Sequence, residues 1–135
     1  MGLDIGDKRI GVALSDPGEI LASPLTIIER TDETEDIEKI VSLATKHQVS
    51  QIVVGLPLSL SGSIGEQAEK VHIFVNHLTR HTGIPVILRD ERLTTVWAKR
   101  LLKDARTKKT KEKIRDDAFA AALILQGYLD EKPRD

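Results

Sequence analysis

The first sixteen residues, MGLDIGDKRIGVALSD, constrain the fold of this chain more than any other stretch. Two apolar runs are separated by a turn at Gly6, where a residue without Cβ is free to take a positive φ, and this pattern predicts a β-hairpin. Asp4 lies within the first run, where a carboxylate is costly unless it is paired or binds a metal. Gly11, inside the second predicted strand, indicates close approach by another backbone or a ligand. Asp4 is therefore the first candidate functional residue. The alternative is that its carboxylate only accepts hydrogen bonds from backbone N–H groups of the turn.

The remaining hydrophobic patterns predict an α/β fold. A third strand is expected over residues 20–29, with Pro24 favouring an edge position. Two more strands are predicted over 51–57 and 85–89, and helices over about 33–47, 66–82, 96–102 and 114–129. The order β-β-β-α-β-α-β-α-α predicts a mixed five-stranded sheet with helices on both faces. A functional site is then expected at the carboxyl ends of the parallel strands.

Composition limits the classes of protein and partner. A length of 135 residues predicts one domain over 1–135, and the polar, highly charged segment at about 104–115 is expected to be mobile. The chain has no cysteine, which excludes a disulfide framework and thiolate chemistry. Without a long apolar run or a signal-peptide pattern, we expect a cytoplasmic protein with no membrane partner.

Charge is distributed unevenly along the chain. Nine Lys or Arg and two acidic residues lie between Lys99 and Arg115, although the formal net charge of the whole chain is −1. Such a basic segment on an acidic body predicts a polyanionic partner, and a solvated helix face is the alternative. The expected phosphate contacts are Lys8, Arg9, Arg92, Thr94, Thr95, Lys108, Lys109, Lys111 and Lys113.

Three acidic positions stand out as candidates for metal chemistry. Asp4 lies on the first strand, Asp90-Glu91 end the fifth, and Asp116-Asp117 open the last helix. Carboxylate oxygens are the ligands that Mg²⁺ prefers, and a pair of such ions can hydrolyse a phosphodiester. Asp116-Asp117 taken alone could simply complement the helix dipole. Elsewhere, His77 and His81 are predicted to be surface residues because no acidic ligand is expected on their helix face.

Several segments along nearly the whole chain carry a family resemblance. They are LDIG at 3–6, KRIGVA at 8–13, VGLP at 54–57 with Gly62-Ser63, DERLTT at 90–95, and Asp117-Ala118 with the following AA and ILQ at 121–126. Together they resemble the YqgF/RuvX family, described as RNase H-like Holliday junction resolvases and as pre-16S rRNA nucleases. The sequence departs from the family pattern at its start, where residues usually precede the Leu-Asp strand, so a strand clipped at its N-terminus is expected.

The resemblance implies an RNase H-like fold and a nuclease that uses Mg²⁺ or Mn²⁺ in a two-ion site. It assigns catalytic and metal-binding roles to Asp4, Glu91 and Asp117, with Asp116 as the fallback ligand. The expected reaction is 5′-end processing of pre-16S rRNA by a monomer or homodimer.

Three alternatives stay open at this point. The same family roles include resolution of Holliday junctions in branched DNA, and a noncatalytic RNA-binding module could keep the fold without the reaction. The glycine turn after Asp4 also resembles the first phosphate loop of sugar kinases and actin-like ATPases. Those proteins need two such lobes, whereas 135 residues supply one.

Overall fold

The computed structural model describes residues 1–58, 64–91 and 116–131, without the side chains of Asp116 and Asp117. Its elements are β1 (Gly2–Ile5), β2 (Arg9–Ser15), β3 (Ala22–Glu29), α1 (Glu33–Lys46), β4 (Ile52–Leu56), α2 (Glu66–His81), β5 (Val86–Asp90) and α3 (Asp116–Glu131). The helix predicted around 96–102 and the basic segment at 104–115 lie outside the described residues.

The five strands form one mixed sheet in the order β3-β2-β1-β4-β5. β1 and β3 both pair antiparallel with β2, whereas β4 pairs parallel with β1 and with β5. This topology confirms the predicted mixed sheet, and Pro24 lies in an edge strand as expected. β1 has only four residues, yet it lies at the centre of the sheet because Leu3 pairs with Val12 on one side and Val54 on the other.

The third strand begins two residues later than its apolar pattern predicts. The carboxylate of Asp16 accepts the N–H groups of Ile20 and Leu21 at 2.7 and 2.9 Å, so these two residues belong to the turn. Both are more than half exposed, at 51% and 55%. An Asp side chain that bonds downstream amides offers the backbone an alternative to strand pairing, and β3 therefore starts at Ala22.

Helices cover both faces of the sheet, as predicted. On one face, α1 and α2 pack against the β1 and β4 side chains that point towards them; the buried members include Leu3, Ile5, Ile37, Ile40, Val54, Phe74 and Leu78. The other face is covered by α3, whose buried residues Ala121, Ala122, Ile124, Leu125 and Leu129 cluster with Ala13, Ala22 and Val53. Successive residues of a strand point to opposite faces of the sheet, so each strand contributes side chains to both cores.

The direction of α3 decides which residues reach the carboxyl edge of the sheet. A Cβ placed on Gly2 would lie 2.8 Å from the carbonyl oxygen of Ala121, so the helix rests directly on β1 there. Further along α3, Tyr128 Oη donates to Oε1 of Gln51, the residue that precedes β4. α3 is therefore antiparallel to β1 and β4, and its N-terminus lies towards their carboxyl ends. None of the helices in the described ranges is long and apolar enough to cross a membrane.

Candidate active site

Asp4 lies on the sheet face that α3 covers. It shares this face with Gly2 because the two are separated by one residue along β1, while Leu3 and Ile5 point into the opposite core. Asp4 is half-buried and pairs with Gly11 of β2. On its other side, Leu3 pairs with Val54, so the residue after Val54, Gly55, runs beside Asp4. The carboxylate therefore stands between two residues that carry no side chain.

Glu91 reaches the same face from the end of β5. Asp90 pairs with Leu56, and Glu91 follows directly. A Cβ placed on Gly55 would lie 2.5 Å from Glu91 Oε1 and 2.9 Å from its Cγ, and it would also collide with Ile124 of α3. The Glu91 side chain thus folds back over β4, between the sheet and α3. Gly55 is needed here for space, since any larger residue would displace the carboxylate.

The third predicted ligand comes from the first turn of α3. A Cβ on Gly2 would meet the Cβ of Leu125 at 2.7 Å and the carbonyl oxygen of Ala121 at 2.8 Å, so this part of α3 lies over Gly2. Position 117 is one helical turn before Ala121 and therefore lies towards the carboxyl end of β1, on the side of Asp4. Position 116 is rotated from position 117 by about 100° about the helix axis. The side chains of both aspartates lie outside the described part of the chain.

The remaining predicted contacts are only partly described. Lys8 and Arg9 are exposed at the turn that follows β1, and Arg9 forms a 3.4 Å ion pair with Glu29. Both partners of that pair are exposed, so it contributes little to stability. Seven further predicted contacts lie outside the described residues: Arg92, Thr94, Thr95, Lys108, Lys109, Lys111 and Lys113.

The turn itself needs glycine for a different reason from the one expected. The φ of Gly6 does not lie in the left-handed region, but a Cβ there would stand 2.8 Å from the carbonyl oxygen of Arg9. Gly6 N donates to that same oxygen at 2.9 Å. Close approach of two backbone segments, rather than a positive φ, therefore requires glycine at this position.

A family model described as "RuvX: Holliday junction resolvase" matches residues 1–131. The chain belongs to this family. A relative from Dehalococcoides mccartyi is 51% identical over 127 residues, which is 94% of each chain. Another from Roseiflexus is 46% identical over 132 residues, covering 98% of this chain and 94% of the relative. Both relatives carry the name "Putative pre-16S rRNA nuclease".

Two solved structures share the fold of this RuvX chain. Thermus thermophilus RuvC in complex with a Holliday junction substrate matches with a TM-score of 0.60 at 17% identity, over 95% of this chain and 90% of RuvC. The fowlpox virus resolvase, in complex with Holliday junction DNA, matches with a TM-score of 0.51 at 13% identity, over 96% and 95% of the two chains. These likenesses confirm the RNase H-like fold.

The described side chains of the RuvX chain contain two of the three predicted metal ligands, Asp4 and Glu91. Among these side chains, no group of three or more His, Cys, Asp or Glu residues is arranged to hold a metal ion. The predicted third donor, Asp117, lies beyond them. The three-carboxylate site therefore stays a prediction, with two of its positions brought to one face of the sheet.

Sequence reasoning missed three long-range contacts. Gln126 accepts the N–H of Ala22 and donates to the carbonyl of Ile20, both at 2.9 Å, and so ties α3 to the start of β3. Arg89 is buried and forms an ion pair with Glu131 of α3. The prediction for His77 was wrong in one respect, because Glu33 of α1 contacts its Nδ1. Packing of α1 against α2 supplies that acidic neighbour, and it cannot be predicted from the sequence of α2 alone.

Proposed function

We propose that this chain is a metal-dependent nuclease that hydrolyses phosphodiester bonds in structured nucleic acid, with the 5′ end of pre-16S rRNA as its substrate. The observation that carries the proposal is the arrangement of Asp4 and Glu91 on the two sides of Gly55. One carboxylate comes from β1 and the other from the residue that follows β5, and both lie on the sheet face that α3 covers, beside Gly11 and Gly55. Membership of the RuvX family and the name of its relatives support the same reaction.

The donor set fits a hard divalent cation. Carboxylate oxygens suit Mg²⁺ or Mn²⁺, and Asp4, Glu91 and Asp117 would together hold a two-ion site, with Asp116 as the second choice. When bound, such ions activate the attacking water and stabilise the leaving oxygen. The backbone of Asp4 lies in a paired strand, and Glu91 directly follows another, so both carboxylates start from the ordered sheet. A metal site is held more precisely on such elements than on loops.

Substrate binding is assigned to cationic and hydroxyl side chains around this face. Lys8 and Arg9 follow β1 in an exposed turn, and Arg92, Thr94 and Thr95 follow Glu91 in sequence. The lysines at 108, 109, 111 and 113 precede α3 and would contact the phosphate backbone, which positions a substrate without reading its bases. We further propose that the chain acts as one cytoplasmic domain over residues 1–135.

Branched DNA is the second candidate substrate. It is favoured by the shared fold with two resolvases that were solved with Holliday junction DNA. Those resolvases are 17% and 13% identical to this chain, however, whereas the relatives named as pre-16S rRNA nucleases reach 51%. The greater similarity therefore supports RNA processing as the main function.

Parallel cleavage assays on pre-16S rRNA and on four-way junction DNA, with Mg²⁺ or Mn²⁺, test the proposal. Wild-type protein should cleave the RNA faster, and chelation of the metal should abolish cleavage. Asp4→Asn, Glu91→Gln and Asp117→Asn should each lower kcat by about 100-fold or more, and their effects should not add because they serve one site. Asp116→Asn distinguishes the two aspartates: it should retain most activity, whereas loss of activity in Asp116→Asn but not in Asp117→Asn would make Asp116 the third ligand.

Three results would contradict parts of the proposal. Wild-type cleavage rates in a triple carboxylate variant would show that the site lies elsewhere. Faster cleavage of the junction would make branched DNA the substrate. RNA binding without any metal-dependent cleavage would assign the chain to the noncatalytic class.

A further inference from the structure

Arg89 of β5 is buried in a position that carries no obvious need for a charge. It is 7% exposed, and only Arg89 and Asp36 are buried charged residues within the described part of the chain. Arg89 Nε and Nη2 donate to the two carboxylate oxygens of Glu131 at 3.3 and 3.1 Å. Its Nη1 is buried and has no hydrogen-bond partner among the described residues. Burying a guanidinium with one unpartnered nitrogen is costly, which indicates that the residue serves more than packing.

Arg89 lies close to the candidate site along the sheet. It pairs with Gly55 across the β4–β5 ladder, and it lies two residues before Glu91. The Glu91 side chain in turn occupies the space over Gly55. Arg89 and Glu91 are two residues apart, so their side chains lie next to each other on the sheet face that α3 covers.

α3 rests directly on the Arg89 guanidinium. A Cβ placed on Gly127 would lie 2.6 Å from Arg89 Cζ and 2.6 Å from its Nη2, so glycine is the residue that allows this contact. One turn later, Glu131 accepts hydrogen bonds from Nε and Nη2 of the same guanidinium. Nearer to its N-terminus, the same helix packs Ile124 against Gly55, where the Glu91 side chain also lies, and it begins at Asp116. The guanidinium is therefore a rigid spacer between β5 and α3.

We propose that Arg89, clamped by Glu131, is a positioning residue for the metal site. It fixes the distance and the axial position of α3 relative to β5, and thereby the relation between Glu91 on the sheet and Asp117 on the helix. The planar guanidinium with its forked donors holds one geometry, which a flexible apolar side chain would not. This inference rests on the nuclease function proposed above, since it assigns Arg89 a role in that same site.

A purely structural ion pair makes a different prediction. Its loss would lower the melting temperature, but it would leave the metal requirement of the folded molecules unchanged. A positioning residue must change the affinity of the site for its cation. The two roles are therefore separated by metal titration and not by stability alone.

The test compares Arg89→Met, Arg89→Lys and Glu131→Gln with wild type and with Leu78→Ala. Leu78 is 0% exposed in α2, on the opposite face of the sheet, and its truncation supplies a matched loss of stability. Glu131 is partly exposed, so Glu131→Gln should fold even where Arg89→Met does not. For each protein, kcat, KM and the Mn²⁺ concentration for half-maximal cleavage of pre-16S rRNA are measured. The rise in Tm on adding Mn²⁺ without substrate is measured alongside.

Arg89→Met should raise the half-saturating Mn²⁺ concentration by about tenfold, as loss of a residue that orients metal ligands does. The Mn²⁺-induced rise in Tm should shrink in parallel, while KM for the RNA changes by less than about twofold because phosphate contacts are intact. Arg89→Lys should recover part of the metal affinity, and Glu131→Gln should show a smaller shift in the same direction. Leu78→Ala should keep the wild-type metal requirement.

The outcomes separate this inference from the proposed function. If the Arg89 and Glu131 variants match Leu78→Ala in both metal readouts, the positioning role is overturned while the nuclease stands. If wild type is stabilised by Mn²⁺ but cleaves neither substrate, the nuclease function is overturned and the Tm increments still decide the role of Arg89. Wild-type protein with neither cleavage nor a Mn²⁺-induced shift would overturn both.

Discussion

The carboxylate of Glu91 occupies the space in which a side chain at Gly55 would stand. A Cβ at position 55 would lie 2.5 Å from Glu91 Oε1, although Gly55 belongs to β4 and Glu91 follows β5, far away in the sequence. Gly55 of the VGLP segment and Glu91 of the DERLTT segment therefore lie in direct contact. The glycine of the first segment is a condition for the carboxylate of the second to reach the face that holds Asp4.

Gly55→Ala should consequently damage the site more than the fold. The added methyl group should displace Glu91 and lower kcat by about tenfold or more, as a misplaced ligand does. Overpacking should also cost about 1–3 kcal/mol of unfolding free energy. Cleavage rates and denaturant unfolding measure the two effects.

Gly83→Ala is the control for that substitution. A Cβ at Gly83 meets nothing within 4 Å, so the variant should be as active and at least as stable as wild type. Full activity in Gly55→Ala would show that Glu91 is not needed at the position that the structure gives it.

Asp4→Asn should weaken the thermal stabilisation that a divalent cation provides. A ligand that binds only the folded state stabilises it by about 2.7 kcal/mol at 100 times its Kd, so Mg²⁺ or Mn²⁺ should raise the Tm of wild type. Neutralising one of the clustered carboxylates removes a metal ligand, and it also relieves repulsion in the metal-free protein. Scanning calorimetry with and without Mn²⁺ should therefore show a smaller increment in Asp4→Asn. An unchanged increment would place the cation elsewhere.

Gln126→Leu should destabilise the fold without touching the proposed chemistry. The variant leaves the N–H of Ala22 and the carbonyl of Ile20 without their side-chain partner. A buried or half-buried group that loses its partner costs about 1–3 kcal/mol, so the urea midpoint should fall accordingly. Equal midpoints for Gln126→Leu and wild type would show that this tie between α3 and β3 contributes nothing.

The salt dependence of nucleic-acid binding should show whether the basic segment that precedes α3 contacts phosphates. Changing Lys108, Lys109, Lys111 and Lys113 to Gln should weaken binding to RNA and DNA of any sequence. Each phosphate contact contributes to the slope of log affinity against log salt, so the slope should flatten by up to about 3–4 units. Binding titrations at several salt concentrations measure it, and the single-turnover rate at saturating substrate should change far less.

Lys39→Gln with Lys46→Gln in α1 provides the control for the lysine variant. Both lysines are exposed on the helix that packs against the opposite face of the sheet, and their loss should leave the slope near that of wild type. If the four-lysine variant has the same slope as wild type, these lysines do not contact phosphates and the segment is only a solvated link.

Local pattern in the sequence was sufficient to predict the order of the strands and helices that the structure describes. Alternation around Asp4 and Gly11, the edge signal of Pro24 and the continuously apolar β4 each depend on neighbours within a few residues. Asp32 also caps α1 as its position before an acidic first turn suggests, since it accepts the N–H of Glu35 at 2.9 Å. The same local signals identified Asp4 and the pair Asp90-Glu91 as candidates, and the family resemblance then selected Glu91 from that pair.

Only the tertiary structure decided how those candidates are held. Gln126 bonds to a residue 104 positions away, and Arg89 to one 42 positions away, so no window of sequence contains both partners. Arg89 in particular follows an apolar run and carries a charge, which in sequence looks like the solvated end of a strand. Its burial results from α3, which approaches closely enough at Gly127 to cover it. The sequence determined which groups are available for chemistry, and the packing of α3 on the sheet decided where they stand, because distances between remote segments are set by the side chains that fill the space between them.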